Sequence, residues 1–310
     1  MKSHIARLSA MPLSGPVLLA LACSPAAAQT QPAENEVVLS NDIIVTAQKR
    51  EERLKDVPVP ISAVSGDALL AQNQTKAQEF FSSVPAVNLQ FQNGRAQLAI
   101  RGITTGPVTG NPTVGYTIDD VPYGSSTGQG GLFGSAPDID PSELSRIEVL
   151  RGPQGTLYGA SSIGGLLKYV TVDPSTDKLS GTVGGGVSMV EHGGSTLGYN
   201  LRGAINAPVS ETFAVRASAF HRDEPGYIDN IRTGKKDANS SEVTGGRLSA
   251  LWKPTDTFSL KLSAMYQVRN IYGSSNSDIT TGSRNLQTDQ IGAGRSRAEN
   301  QIYSAVANAD

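Results

Sequence analysis

Cysteine is almost missing from this chain: Cys23 is the only one among 310 residues. That excludes a disulfide framework and a thiolate zinc site. Histidine is nearly as scarce, with only His4, His192 and His221, and single histidines in strand patterns read as polar surface residues rather than metal ligands. Positive charge is not in excess, since 26 Lys+Arg face 28 Asp+Glu for a net charge of −2. Binding of nucleic acid through a strongly basic surface is therefore not expected. No apolar run reaches the ~18 residues that mark a spanning helix, so any membrane contact must come from strands or from the surface. Hydrophobic residues amount to 38%, below the roughly 45–50% of ordinary globular chains, a share that counts Gly but omits Tyr. The 33 glycines point to tight turns and close backbone approaches instead of thick helical packing.

Catalytic signatures are also lacking. No G-x-x-x-x-G-K-[ST] phosphate loop occurs, and the glycines at 184–186 lie in a strand pattern without G-x-G-x-x-G spacing. Gly124-Ser125-Ser126-Thr127-Gly128 matches the nucleophile elbow G-x-S-x-G, which needs a helix after the serine. The following Gln129-Gly130-Gly131-Leu132-Phe133-Gly134 is too rich in glycine to sustain one. The adjacent carboxylates Asp119 and Asp120 stand at a strand end and need only be solvated. A secreted hydrolase using Ser126 remains a rival reading, but the residues favour a protein that is not an enzyme and carries no cofactor.

What is present begins with an export signal. Lys2 and Arg7 precede the apolar run Pro16–Ala22, and Ala26-Ala27-Ala28 supplies small residues for cleavage. Residues 1–28 are read as a signal peptide. Its loss removes Cys23 and leaves 24 basic against 28 acidic side chains, a charge of −4. Ala20-Leu21-Ala22 before Cys23 fits a lipobox poorly. Residues 29–41 are polar and aperiodic and read as a flexible tether. Asp42-Ile43-Ile44-Val45-Thr46-Ala47 then forms an apolar, β-branched segment before the charged run Lys49–Lys55. On a leash, such a segment suits addition to a partner's sheet edge; it could equally be the first strand of the domain that follows.

From Val57 to Val172 the pattern is mixed α/β. Val57-Pro58-Val59-Pro60-Ile61 reads as an edge strand, and Thr75-Lys76-Ala77-Gln78 as a capping box opening a short helix with Phe80 and Phe81. Strands are expected at Val87–Phe91, Gln97–Ile100, Val114–Ile118 and Ile147–Leu150, with a capped helical start at Asp140-Pro141-Ser142-Glu143. Beyond Leu179 the period becomes two. Phe258, Leu260, Leu262, Ala264, Tyr266 and Val268 alternate with Ser259, Lys261, Ser263, Met265, Gln267 and Arg269. Comparable strands are expected at 180–190, 197–207, 213–222, 243–252 and 301–308. Their connections alternate between tight (206–212, 253–257) and long polar (224–242, 270–300), with only the first connection on the long-loop side short, the rim asymmetry of an outer-membrane barrel rather than of a soluble sandwich. Six strands cannot close a barrel, because single-chain bacterial barrels start at about eight. The chain reads as the N-terminal part of a longer protein.

Arg146-Ile147-Glu148-Val149-Leu150-Arg151-Gly152-Pro153 delivers a strand into a Gly-Pro turn, followed by glycines to Gly165. In order with Asp42–Ala47, Val57–Ile61, Ile100-Arg101-Gly102-Ile103 and Tyr116–Pro122, this stretch resembles the TonB-dependent outer-membrane receptors. The resemblance implies an α+β plug domain over 48–173 followed, over 179–310, by antiparallel strands of an incomplete transmembrane β-barrel. In that family the barrel has about 22 strands around a plugged lumen.

Asp42, Ile43, Ile44, Val45, Thr46 and Ala47 would be the TonB box, which pairs as a strand with TonB, the link to the proton-driven inner-membrane complex. Arg101 and Arg151 would meet glutamates of the barrel wall beyond Asp310. Thr105, Thr109, Asn111, Tyr123, Ser126, Gln129 and Phe133 lie in Gly-rich, polar plug apices that would touch ligand. The implied activity is energised uptake through the bacterial outer membrane of a scarce ligand, by default a ferric siderophore, with a glycan or aromatic compound as alternative cargo. A passive porin is the other rival. The short stretch between Ala28 and Asp42 leaves no room for an N-terminal signalling domain, so uptake without transcriptional signalling is expected.

Overall fold

The computed structural model describes residues 43–76, 79–81, 84–92, 95–105, 112–124, 138–190, 196–273, 277, 287–289 and 295–309. The first strands form a short antiparallel pair, β1 (Ile44–Val45) against β2 (Glu52–Arg53), with Val45 opposite Glu52. A strand across Val57–Ile61 was expected; β3 instead begins where the prolines end, at Ile61–Ser65. Pro58 and Pro60 have no N–H for a ladder, although the Pro60 carbonyl still accepts from the Arg151 N–H at 3.0 Å.

Ser65 then caps α1 (Gly66–Ala71) by accepting from the Ala68 N–H at 3.2 Å. Gly66 is required there, because a Cβ would stand 2.0 Å from the Leu144 carbonyl oxygen. At the second expected helix start, Glu79 accepts from the Thr75 and Lys76 N–H groups at 3.0 and 3.2 Å. The carboxylate that reaches back is thus one residue later than the expected Gln78, which lies outside the described residues.

A hairpin follows, β4 (Val87–Gln92) with β5 (Arg95–Ile100), then β6 (Val114–Ile118) and β7 (Val121–Tyr123). Asp140 caps a single 3-10 turn at Pro141–Glu143, as the N-cap and proline signals predicted. β8 (Leu144–Arg151), α2 (Gly155–Tyr158) and β9 (Gly165–Thr171) complete a five-stranded sheet in the order β3-β8-β9-β6-β7. β3 is an edge, as expected. Gly165 has φ +152°, and a Cβ on it would lie 2.3 Å from the Leu150 oxygen of the neighbouring strand.

Alternation along β8 and β9 gives the sheet two buried faces. Ile147, Val149, Leu167 and Tyr169 pack with Phe80, Phe81, Leu98 and Ile100 in the main core. Leu150 and Leu166 face the other way, against Val45 and Ala47.

The remaining chain is a meander. β10 (Ser180–Ser188), β11 (Gly198–Ser210), β12 (Phe213–Glu224), β14 (Ser241–Thr255), β15 (Phe258–Ile271) and β17 (Ser296–Ala309) form one antiparallel six-stranded wall, each pairing with the next. β13 (Asp229–Asn230) and β16 (Gln287–Thr288) pair outside it, between the two longest connections. Strands of 12 to 15 residues after β11 exceed the roughly 9–11 needed to cross a bilayer when tilted.

The polarity of this wall is inverted relative to a soluble sheet. Leu201, Ile205, Leu248, Trp252, Leu262 and Tyr303 are exposed on its outer side, while Asn206, Arg222, Arg247, Ser249 and Gln267 are buried on the inner side. Apolar-out and polar-in is the arrangement a lipid-facing barrel requires.

Candidate functional site

From Ile43 onward the segment that follows the tether is docked. Val45 and Ala47 are buried against Leu150 and Leu166, and the Leu54 N–H donates to the Ile43 carbonyl at 2.8 Å. Of the two readings left open by the sequence, this geometry is that of a first strand folded onto the following domain. The reason is local: Glu52–Arg53 offers the apolar segment a hairpin partner, and two buried charges receive the residue after it. Glu148 accepts from the Thr46 N–H at 2.8 Å and from its hydroxyl at 3.3 Å, while the Lys168 ammonium donates to the Thr46 carbonyl at 3.1 Å. Tyr158 donates to the Ala47 carbonyl at 2.8 Å. Burial, with Asp120 and Glu148 nearby, pushes the Tyr158 phenol well up from its ordinary value, so it remains a donor. Asp42 lies outside the described residues.

The globular part is seated on the inner face of the wall by ion pairs that run mostly one way, acid on the globule and base on the wall. Arg222 bonds Asp138 and donates to the Thr75 carbonyl at 2.7 Å and to Glu224 at 2.8 Å. Arg202 lies 3.5 Å from Asp140, and Arg216 and Arg247 lie 3.9 and 3.7 Å from Glu143. Arg247 also donates to the Val172 carbonyl at 3.0 Å. Lys261 is 3.2 Å from Asp119 and 2.8 Å from Asp173. Buried charges of this kind persist only when paired and hydrogen-bonded. Asn206 adds a neutral clamp, bonding the Ser175 N–H and the Ser175 and Lys178 carbonyls at 2.8 to 3.0 Å, so the chain is fixed where it enters β10.

Asp119 corrects an expectation, since solvation was to be its whole role. It is buried and accepts from the Thr171 N–H at 2.8 Å and the Thr171 hydroxyl at 2.9 Å besides pairing with Lys261. Burial works to raise its carboxyl, but Lys261, the Thr171 donors and Arg247 outweigh it and hold the group below the ordinary range. A depressed carboxyl contributes stability that is full above the ordinary value of about 4 and is lost as pH falls through the folded value. Asp119→Asn should therefore lower the urea midpoint at pH 7 and lower it much less at pH 3; an equal loss at both would show that the charge is not what Asp119 contributes.

The other expected residues divide. Arg101 sits exposed in a left-handed turn at φ 55°, its N–H donating to the Ala86 carbonyl at 2.7 Å. Arg151, half-buried, bonds Ser62, and its Nε has no hydrogen-bond partner among the described residues. The six wall strands bring no glutamate to either arginine among the described residues. Tyr123 meets the wall, donating to Asn300 at 2.8 Å, with its phenol raised by burial to about 12. Thr105 is exposed. Thr109, Asn111, Ser126, Gln129 and Phe133 lie outside the described residues.

Sequence reasoning missed Glu148, Lys168, Asp119 and the wall cations. One signal pointed to the last group: Arg202, Arg216, Arg222, Arg247 and Lys261 all occupy the polar phase of the strand alternation, where a solvent-filled lumen would need no such regular charge.

A family model described as the TonB-dependent Receptor Plug Domain matches residues 53–166. The hemin receptor of Yersinia enterocolitica is 24% identical over 299 residues, covering 92% of this chain and 40% of its own. The ferric enterobactin receptor PirA of Pseudomonas aeruginosa is 29% identical over 230 residues, covering 69% of this chain and 29% of its own. Among solved structures, the ferric yersiniabactin uptake receptor FyuA of Yersinia pestis superposes with a TM-score of 0.67 at 19% identity, over 81% of this chain and 38% of that one. The chain thus spans less than half the length of these relatives.

Proposed function

We propose a function from the premise that this chain belongs to the TonB-dependent outer-membrane receptors, with its plug at residues 53–166 and the first strands of its barrel after it. The full-length protein takes up a scarce ligand across the outer membrane, and Ile43–Ala47 with Asp42 is the handle that TonB pairs with as an added strand. The observation that carries this reading is a β-branched segment held on the plug by a two-residue strand and a few polar bonds, inside a wall with apolar-out polarity. Energy comes from the inner-membrane proton gradient through TonB. Residues 1–28 are the export signal, removed on the way to the outer membrane.

The cargo is a ferric siderophore. Support comes from the names of relatives and structural neighbours, which include receptors for ferric enterobactin, ferric yersiniabactin and ferripyoverdine alongside hemin and vitamin B12. The family is one of transporters and receptors rather than enzymes, which sets aside the Ser126 hydrolase. A plug seated by buried ion pairs argues against a passive porin.

Ile44 is 42% exposed and suits a disulfide probe. In the full-length receptor carrying Ile44→Cys, cross-linking to single cysteines along the pairing strand of TonB is expected to rise severalfold when a recognised ferric siderophore is added. No cross-link at any register, with or without ligand, would overturn the handle assignment.

A further inference from the structure

The geometry points to a catch in which Glu148 and Lys168 stand in for the partner strand, so that the plug competes with TonB for the main-chain groups of Thr46. This inference rests on the strand-addition reading above. A strand offers a partner its N–H and C=O groups, and a partner strand answers with C=O and N–H. At Thr46 a carboxylate oxygen takes the first place at 2.8 Å, and the second is shared by the Lys168 ammonium at 3.1 Å and the Lys49 N–H of the handle's own turn at 3.0 Å. The other edge of the handle is already taken, by β2 and by the Leu54 N–H. Among the described residues the docked handle therefore offers no continuous free edge, and a partner must displace the two side chains and open the Thr46–Lys49 turn before it can pair.

Three features separate a catch from a buried ion cluster that merely stabilises the sheet. Glu148 and Lys168 lie directly opposite one another on β8 and β9, where a cluster serving stability alone would pair them with each other. Their ion pairs run elsewhere, Glu148 to Arg146 at 2.7 Å and Lys168 to Asp120 at 2.8 Å, and Thr46 bridges the two.

Each therefore keeps an opposite charge when the handle leaves. Release strands no buried ion, which is what makes such departure reversible. Finally, the second oxygen of Glu148 is buried with no hydrogen-bond partner among the described residues, an acceptor held in reserve for when Thr46 leaves. The apolar contacts of Val45 and Ala47 with Leu150 and Leu166 keep water from the catch while it is closed.

The test uses the full-length receptor in detergent without ligand, and a bulky maleimide as probe. Val45→Cys reports handle exposure, and Val149→Cys, in the main core on the opposite face of β8, reports whether the plug stays folded. Glu148→Met and Lys168→Met each remove one partner of Thr46 while keeping side-chain length. In at least one of these variants position 45 should label ten-fold faster or more, with position 149 still protected. Labelling at 45 as slow as in the parent in both variants, or labelling at 45 only together with 149, overturns the catch. Titrating the same samples with the periplasmic domain of TonB separates the two readings: if the handle opens without any gain in TonB binding, Glu148 and Lys168 still hold it on the plug, but the handle assignment falls and the competition with TonB falls with it.

Discussion

Replacing Arg222 with methionine is expected to unseat the plug from the wall, at a loss of about 3–5 kcal/mol, the usual result of removing one member of a buried, hydrogen-bonded ion group. Arg222 is 3% exposed and gathers three partners from two parts of the chain: Asp138, the Thr75 carbonyl and Glu224. Among the described residues it is the one hydrogen-bond donor to the Asp138 carboxylate, whose other oxygen is buried without a partner. Methionine would fill the space but leave that carboxylate charged in a dry site.

The contrast is Lys76, which pairs with the same Glu224 at 3.3 Å but is 35% exposed. Lys76→Met should therefore change stability by less than about 1 kcal/mol. Urea titration of the receptor in micelles, followed by proteolytic cleavage within the plug, would measure both. Equal midpoints for the two variants would mean that the ion groups on the wall do not hold the plug.

The same contrast explains what could be read from the sequence. Periodicity was sufficient for β15, where Phe258 to Val268 alternates with Met265 as the one apolar exception, because one face is turned outward and the other meets the plug. It also placed β6 at Val114–Ile118, and the local rules at Asp140-Pro141 located the 3-10 turn that precedes β8. The docking of Thr46 was out of reach of such rules. Its partners Glu148 and Lys168 lie 102 and 122 residues further along, and a sequence shows the type of a charged residue but not which peptide it will receive.

Asp119 was misjudged for a related reason. Adjacent carboxylates at a strand end look solvated until a wall strand 142 positions away brings Lys261 to one of them. Asp120, the neighbour, stays 43% exposed but pairs with the buried Lys168 at 2.8 Å, so solvation alone describes neither residue of the pair. The handle's strand character was legible in Ile43-Ile44-Val45, but the sequence left open whether its resting partner is another protein or the following domain, and here the plug supplies one.

Thr46→Pro should reduce energised uptake by about 5- to 150-fold while leaving ligand affinity within about two-fold. Proline has no N–H, and an acceptor on the partner strand left without its donor loses about 1–3 kcal/mol, which converts to that range. The substitution acts on the docked state as well, since the Thr46 N–H is the group Glu148 receives. The two effects push in opposite directions: the handle is released more readily but can no longer be gripped. Because uptake needs the grip, the second effect decides the outcome.

Thr46→Val separates the main chain from the side chain. It keeps the N–H and removes only the hydroxyl, whose bonds to Glu148 and Arg146 are both 3.3 Å. Uptake should then stay within about two-fold of the parent, since long hydrogen bonds at a partly buried hydroxyl contribute little. Radiolabelled ferric siderophore counted inside energised cells would measure uptake, and binding to de-energised cells would measure affinity. If Thr46→Val abolished uptake as fully as Thr46→Pro, recognition at this residue would run through the side chain, and pairing by strand addition would be the wrong description of how the handle is pulled.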